Sequence, residues 1–329
     1  MSEHKLPVPL TAHDPVPAQL PAVFRVLSIT RVPAPNCRNQ INEAALFHEK
    51  ASIRVTWMTT HTDSRLRVGS LVSIRWMGRP TSCNGAIRIN RLVLLERAEP
   101  GLNPFDTIPP GWVKDRKLVD RGRRLWESMS RPLQHLYNAV LWDAGRCHRF
   151  MTGPSSINGH HNEWNGNLRH TIETAEQALG LSGENAQVYR PVLLAAALLH
   201  DIGKADEYRY DRSRRTFTLS DRGALVGHRH TVLEWIAAAR EGNRVRLPEA
   251  HYLALLHALT SAKGAEWLGI REPASLEASI LSMADRHSGH MDLVSRMAPR
   301  KAGFGRYHRH LKNRPYVVLD SGFSDGSVD

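Results

Sequence analysis

The sequence predicts a multidomain α and β protein in which a small N-terminal β-barrel is followed by an all-α helical bundle. Two observations carry that expectation. Residues 22–98 hold short runs rich in β-branched residues that alternate apolar with polar side chains, the period of a half-buried strand. From residue 115 onward the apolar residues recur at helical spacing instead. With 329 residues and 41% hydrophobic content, the chain is long enough to bury two cores.

In chain order, residues 1–21 are expected as a flexible arm, because prolines recur there and no periodicity does. Strands are expected at 22–32, 52–58, 71–76 and 86–95, the last behind an Asn84-Gly85 turn signal. Four or five short strands within 22–98 suit a small closed barrel. The OB-fold is the commonest such barrel with a nucleic-acid face. Arg54, Arg75, Arg88 and Arg91 share these strands with Trp57 and Trp76, residue types that contact phosphates and stack on bases. The same pattern also fits solvent-facing arginines over core tryptophans.

A Pro/Gly-rich linker is expected at 99–114, and a helical domain at 115–298. Its first helix is read as one amphipathic stretch over 118–144, with others near 165–180, 190–203, 223–241, 248–261 and 273–297. The chain reads as helical almost to its end. Residues 299–329 form a basic tail: Arg300, Lys301, Arg306, Arg309, Lys312 and Arg314 lie there, with Phe304 and Tyr307 interleaved. Such a segment suits a nucleic-acid strand, and equally a poorly ordered terminus.

Charge and composition narrow the partners. Lys and Arg total 44 against 32 Asp and Glu, a formal net charge of +12, which favours a polyanion. Three cysteines (Cys37, Cys83, Cys147) without a CxxC pair argue against a disulfide framework and a cysteine zinc site. The polar, Pro-rich N-terminus is unlike a signal peptide, and the longest apolar run, 192–199, is too short to cross a bilayer. A cytoplasmic protein without a membrane partner is expected; nothing in the pattern fixes its oligomeric state.

That apolar run leads into His200-Asp201-Ile202-Gly203-Lys204. Adjacent His and Asp at a helix end offer one cation an imidazole nitrogen and a carboxylate oxygen. Twelve of the 18 histidines lie from His160 onward. His170, His200, His228, His257 and Asp285 follow one another at 28–30 residues. That is about one helix plus one loop, so successive helices of a bundle can each point one ligand inward.

These residues resemble the HD superfamily of metal-dependent phosphohydrolases, whose signature is the order His … His-Asp … Asp. The stretch His160-His-Asn-Glu-Trp-Asn-Gly-Asn-Leu-Arg-His-Thr171 is similar to the HH-x(4)-G-x-L-x-HT segment of YhaM-type 3′–5′ exoribonucleases. Leu198-Leu-His-Asp-Ile-Gly-Lys204, Gly223-x(3)-Gly-His228 and Glu277-Ala-x(5)-Ala-Asp285 look like the same family. So does a barrel placed ahead of a helical domain. The resemblance spans about residues 22–295, with its specific motifs within 160–290.

The resemblance implies that His170, His200, Asp201 and Asp285 hold a first metal, while His228 matches a ligand of a second one in dinuclear members. Where YhaM-type proteins carry Ser-His-His-Gly, this chain has Ser261-Ala262-Lys263-Gly264, which leaves His257 or His251 as a substitute. One metal is therefore expected rather than two. The family points to Mn²⁺, and mixed N/O ligation also admits Fe²⁺, Co²⁺, Zn²⁺ or Mg²⁺. Such a cation supplies a hydroxide that attacks phosphorus, with Asp201 as ligand and proton acceptor. Lys204 is placed to stabilise a phosphoryl oxygen, and His160 and His161 to contact substrate or the leaving oxygen.

The leading expectation is a metal-dependent phosphodiesterase acting on single-stranded RNA or DNA, most like a 3′–5′ exoribonuclease. The alternatives are an HD-type DNA nuclease resembling relaxases of mobile elements, an HD nucleotide phosphohydrolase, and a nucleic-acid-binding protein with a degenerate HD site.

Overall fold

The computed structural model describes residues 20–318, apart from 36–38, 78–81, 84, 265, 267 and 268. Most of the arm assigned to 1–21, the last residues of the tail, and Asn84 of the expected turn lie outside the described residues.

The first domain is built from β1 (Val23–Pro33), β2 (Gln40–His48), β3 (Ala51–Thr59), β4 (Leu71–Trp76), the two-residue β5 (Ser82–Cys83) and β6 (Ala86–Leu94). β1, β2 and β3 form an antiparallel meander, β4 pairs with both β1 and β6, and a parallel β3–β6 pairing closes the ring. The result is a five-stranded OB-like barrel with β5 added at its edge. Alternation decides what faces inward. On β3, Ala51, Ile53, Val55 and Trp57 are buried, whereas Arg54 and Met58 point out.

That register corrects one expectation. Trp57 is only 5% exposed among Phe24, Leu46, Ile53 and Val55, so it is a core residue and offers no free face for a base. Arg54 lies outside but is engaged by Glu43 of β2. Arg75 and Arg88 are exposed on β4 and β6.

The stretch expected as a linker is not a loose tether. Phe105 and Ile108 are fully buried in the helical core, and Asn103 caps a short 3₁₀ turn over Pro104–Thr107. The single helix expected over 118–144 is three: α1 (Arg116–Glu127), α2 (Arg131–Leu141) and α3 (Ala144–Thr152). Pro132 stands in the first turn of α2, where a missing N–H costs nothing, but α1 cannot run through it. Asp143 then starts α3 by accepting the Arg146 N–H at 2.7 Å.

The remaining helices are α4 (Gly166–Ser182), α5 (Arg190–Leu199), α6 (Lys204–Glu207), α7 (Asp221–Leu225), α8 (Gly227–Gly242), α9 (Glu249–Thr260) and α10 (Leu276–Met297). Every residue of α5 from Val192 to Leu199 is buried, and the helix packs against α2, α4, α9 and α10. Helix is not continuous through this domain. Residues 208–219 form an antiparallel hairpin, β7 (Tyr208–Asp211) with β8 (Thr216–Leu219). The basic tail folds back beyond α10 through β9 (Gly303–Phe304) and β10 (Tyr316–Val317). Among the described residues, no helix is long and apolar enough to cross a membrane.

Candidate metal centre

The buried helix α5 ends at His200, and the following turn carries Asp201. α4 crosses beside it with His170, and α10 brings Asp285. His170 Nε2 lies 3.3 Å from His200 Nε2, 3.3 Å from Asp201 Oδ2 and 3.0 Å from Asp285 Oδ1. His200 Nε2 lies 3.4 Å from Asp201 Oδ2 and 3.7 Å from Asp285 Oδ1. Donors around one cation at bond lengths of about 2.0–2.2 Å stand roughly 3–3.5 Å apart, which is the spacing of this set.

The tautomers fit as well. His200 Nδ1 faces the Ala197 carbonyl at 2.8 Å, a contact that requires its proton, so neutral His200 presents Nε2 as a bare lone pair. His170 Nδ1 is held by Ser288 Oγ at 3.1 Å. Two lone pairs at 3.3 Å repel unless a cation or proton lies between them. Two carboxylates complete the set, so a divalent cation balances its charge.

Electrostatics agree with that balance. Burial pushes the Asp201 carboxyl up, but His200, Lys204 and His170 outweigh it and hold it well below its ordinary value. Asp285 is likewise held down against burial by His170 and His200. Burial lowers His200, yet the facing Asp201 and Asp285 raise it to about 10. The cluster is closed at His170, which is fully buried, and opens at Asp285, whose side chain is 34% exposed.

Asp201 is shared. Its Oδ1 lies 3.4 Å from His228 Nε2, while Glu207 Oε2 holds His228 through its backbone N–H at 2.7 Å and its Nδ1. Gly203 permits this approach, since a Cβ there would lie 2.3 Å from the His228 carbonyl oxygen. His228 therefore reaches the centre. His257 does not: its Nε2 accepts the Ala274 N–H at 2.9 Å, which removes it as a ligand through that atom. His251 stacks on Tyr189, and Lys263 is exposed.

Lys204 Nζ contacts Asp201 Oδ2 and donates to Ser155 Oγ at 3.0 Å, so its charge sits on a ligand carboxylate. His160 lies with its ring 4.7 Å from that of His170, and its buried Nδ1 has no hydrogen-bond partner. It packs on Gly289 of α10, where a Cβ would come within 2.8 Å of the ring. Burial, together with His170 and Lys204, lowers His160 to about 3 and keeps it neutral. His161 is committed elsewhere: its Nε2 lies 3.3 Å from Glu173 and its backbone N–H donates to Asp292 at 2.8 Å. It is an anchor for the loop, not a group free to touch substrate.

Glu207, Ser155, Ser288 and Glu173 were not foreseen. Each acts by holding a ligand or its neighbour, and only the packing of distant elements brings them there.

An OB-like barrel is followed by a helical bundle whose buried helix end gathers two histidines and two aspartates, a donor set that fits one divalent cation. Residues 167–289, which contain all four of these residues, match a family model described as HD domain. An HD domain implies a metal-dependent phosphohydrolase, and such domains bind divalent metals. No solved structure matches the chain.

Proposed function

We propose that the protein is a metal-dependent phosphodiesterase acting on single-stranded nucleic acid, most like a 3′–5′ exoribonuclease. The observation that carries this is the His170–His200–Asp201–Asp285 cluster, open on its Asp285 side in a chain of net charge +12. Exposed Arg75 and Arg88 on the barrel and the folded basic segment after α10 add charge suited to phosphates.

Those four residues would hold a divalent cation, Mn²⁺ on the family resemblance, which would supply charge withdrawal from a phosphoryl oxygen and a more acidic water. The chain's own groups do the rest. Asp201 turns one oxygen to the point the Nε2 atoms of His170 and His200 also face, where the cation would sit, and the other towards His228, which fixes the carboxylate in place. Lys204 moves from Asp201 towards a phosphoryl oxygen as charge develops there. His160 stays neutral and has no imidazolium proton to give, so its part is to border the centre with its ring against His170. With His257 tied to Ala274, a single metal is the reading this donor set supports.

The test uses 3′-labelled and 5′-labelled single strands of RNA and DNA with Mn²⁺. Stepwise shortening from the 3′ end is expected, with chelator stopping it and Asp201→Ala reducing it by at least about a hundredfold. No metal-dependent cutting, or cutting that survives Asp201→Ala, refutes the proposal.

A further inference from the structure

The β7–β8 hairpin has no part in holding the four clustered residues, yet it starts directly after Glu207, the residue that fixes His228. It faces Trp164, which follows His161 by three residues and precedes α4. Trp164, Tyr210 and Phe217 form one cluster. Trp164 lies 5.6 Å from Tyr210 at 87° and 5.6 Å from Phe217 at 40°, with Tyr210 and Phe217 5.1 Å apart. A cavity of about 290 Å³ opens among these rings, Asn162, Arg215 and Thr216. Trp164 remains 46% exposed and Tyr210 42% exposed, so the cluster is not closed as a core.

The charge on the hairpin is mainly positive. The hairpin carries Arg209, Arg212, Arg214 and Arg215 against the single acid Asp211, which lies 3.8 Å from Arg214. Among the described residues, Arg212 and Arg215 make no ion pair, and Arg215 takes φ 52° at the hairpin turn. Asn162 is held in place by Arg296 Nη1 at 2.8 Å. Flat aromatic faces beside unpaired guanidinium groups fit a ligand that alternates planar rings with anions. The cavity is near the lower end, about 300 Å³, of small-molecule sites and suits a base better than a whole nucleotide.

We infer that Trp164, Tyr210 and Phe217 form a nucleobase-stacking pocket that seats a base of a single-stranded nucleic acid near the metal centre, with Arg215 towards its phosphate. This deepens the phosphodiesterase reading and rests on it for the identity of the strand. Stacking on aromatic side chains is sequence-tolerant, so the pocket holds the strand without reading it.

The experiment measures binding in chelator, where nothing is cut, by fluorescence anisotropy of a labelled oligothymidylate and of an abasic phosphodiester of equal length. The unaltered protein is expected to prefer the base-bearing strand by about 5- to 150-fold. Trp164→Ala and Tyr210→Ala bring the two affinities within about twofold of each other, while Trp164→Phe keeps the preference. Equal affinity for both strands in the unaltered protein overturns the pocket, as does a preference that survives both alanine variants. A protein that shows the preference but cuts neither RNA nor DNA leaves the pocket standing and refutes the phosphodiesterase reading alone.

Discussion

His161 stands 2% exposed with Glu173 3.3 Å from Nε2, and Glu163 and Asp292 each 3.9 Å from Nδ1. Burial lowers its pKa, but the three carboxylates outweigh that and raise it to about 9, above the 6.5 of an unfolded chain. The stabilisation is therefore complete below pH 6.5 and is lost as pH rises through about 9, because the folded state holds a proton that the unfolded state has released. Urea unfolding in chelator is expected to show stability falling over that window by up to about 1.4 kcal/mol per pH unit more than in His161→Asn. Parallel pH profiles for the two proteins refute it. This residue also shows where reading the sequence stops. His160 and His161 are adjacent and chemically identical, and the motif treats them as a pair. Only the fold separates them, stacking one on Gly289 beside the centre and sealing the other among acids. His170, His200 and Asp285 were legible from their recurrence at intervals of 28–30 residues and Asp201 from its place beside His200, and the structure brings the donor atoms of all four together.

The elements themselves were legible in proportion to how strictly they obey one period. α5 is apolar on every side from Val192 to Leu199, and a helix of that kind has to be central. Leu198 is fully buried two residues before His200, so Leu198→Ala is expected to cost about 2–5 kcal/mol in chemical denaturation. The same cavity loosens the helix end, and metal affinity is expected to fall with it in calorimetric titration. A variant that loses less than about 1 kcal/mol means that α5 is not the packing centre. The hairpin was missed for a different reason. Its turn, 212–215, contains no glycine and no Asn-Gly or Asp-Gly pair. Instead Asp211 closes it by accepting from Ser213 N–H at 2.9 Å and Arg214 N–H at 3.1 Å, a side-chain turn with a weak sequence signature. Trp57 was ambiguous because alternation shows that two faces exist without saying which one a closed barrel turns inward.

At the scale of the whole molecule, the barrel and the helical domain meet at a buried cation that has no carboxylate partner among the described residues. Arg25 of β1 is 2% exposed. Its guanidinium donates to the Thr107 carbonyl at 2.9 Å, the Gly69 carbonyl at 2.9 Å and Thr107 Oγ1 at 3.0 Å, and stands 4.9 Å from the Trp112 ring. Nearby, Trp142 Nε1 donates to the Leu95 carbonyl at 2.7 Å and Ala98 N–H to Asn243 Oδ1 at 2.9 Å. Nothing in the sequence distinguishes Arg25 from the surface arginines, since a strand arginine followed by valine is ordinary. Its role exists only because 99–114 folds back to supply acceptors. Removing the side chain strands two buried carbonyls, so Arg25→Leu is expected to cost about 2–5 kcal/mol. Because these contacts join the two cores alongside the pairs of Arg116 and Arg123 with Glu49, the variant is also expected to loosen the coupling enough to separate the melting of the barrel from that of the helices. Calorimetry should then resolve one cooperative transition in the unaltered protein and two in Arg25→Leu, the earlier one following barrel tryptophan fluorescence. Substrate turnover tests the consequence: if the barrel delivers the strand to the metal centre, Arg25→Leu raises KM for oligonucleotides while leaving kcat within about threefold. A single unshifted transition in that variant means that the barrel and helices are joined elsewhere.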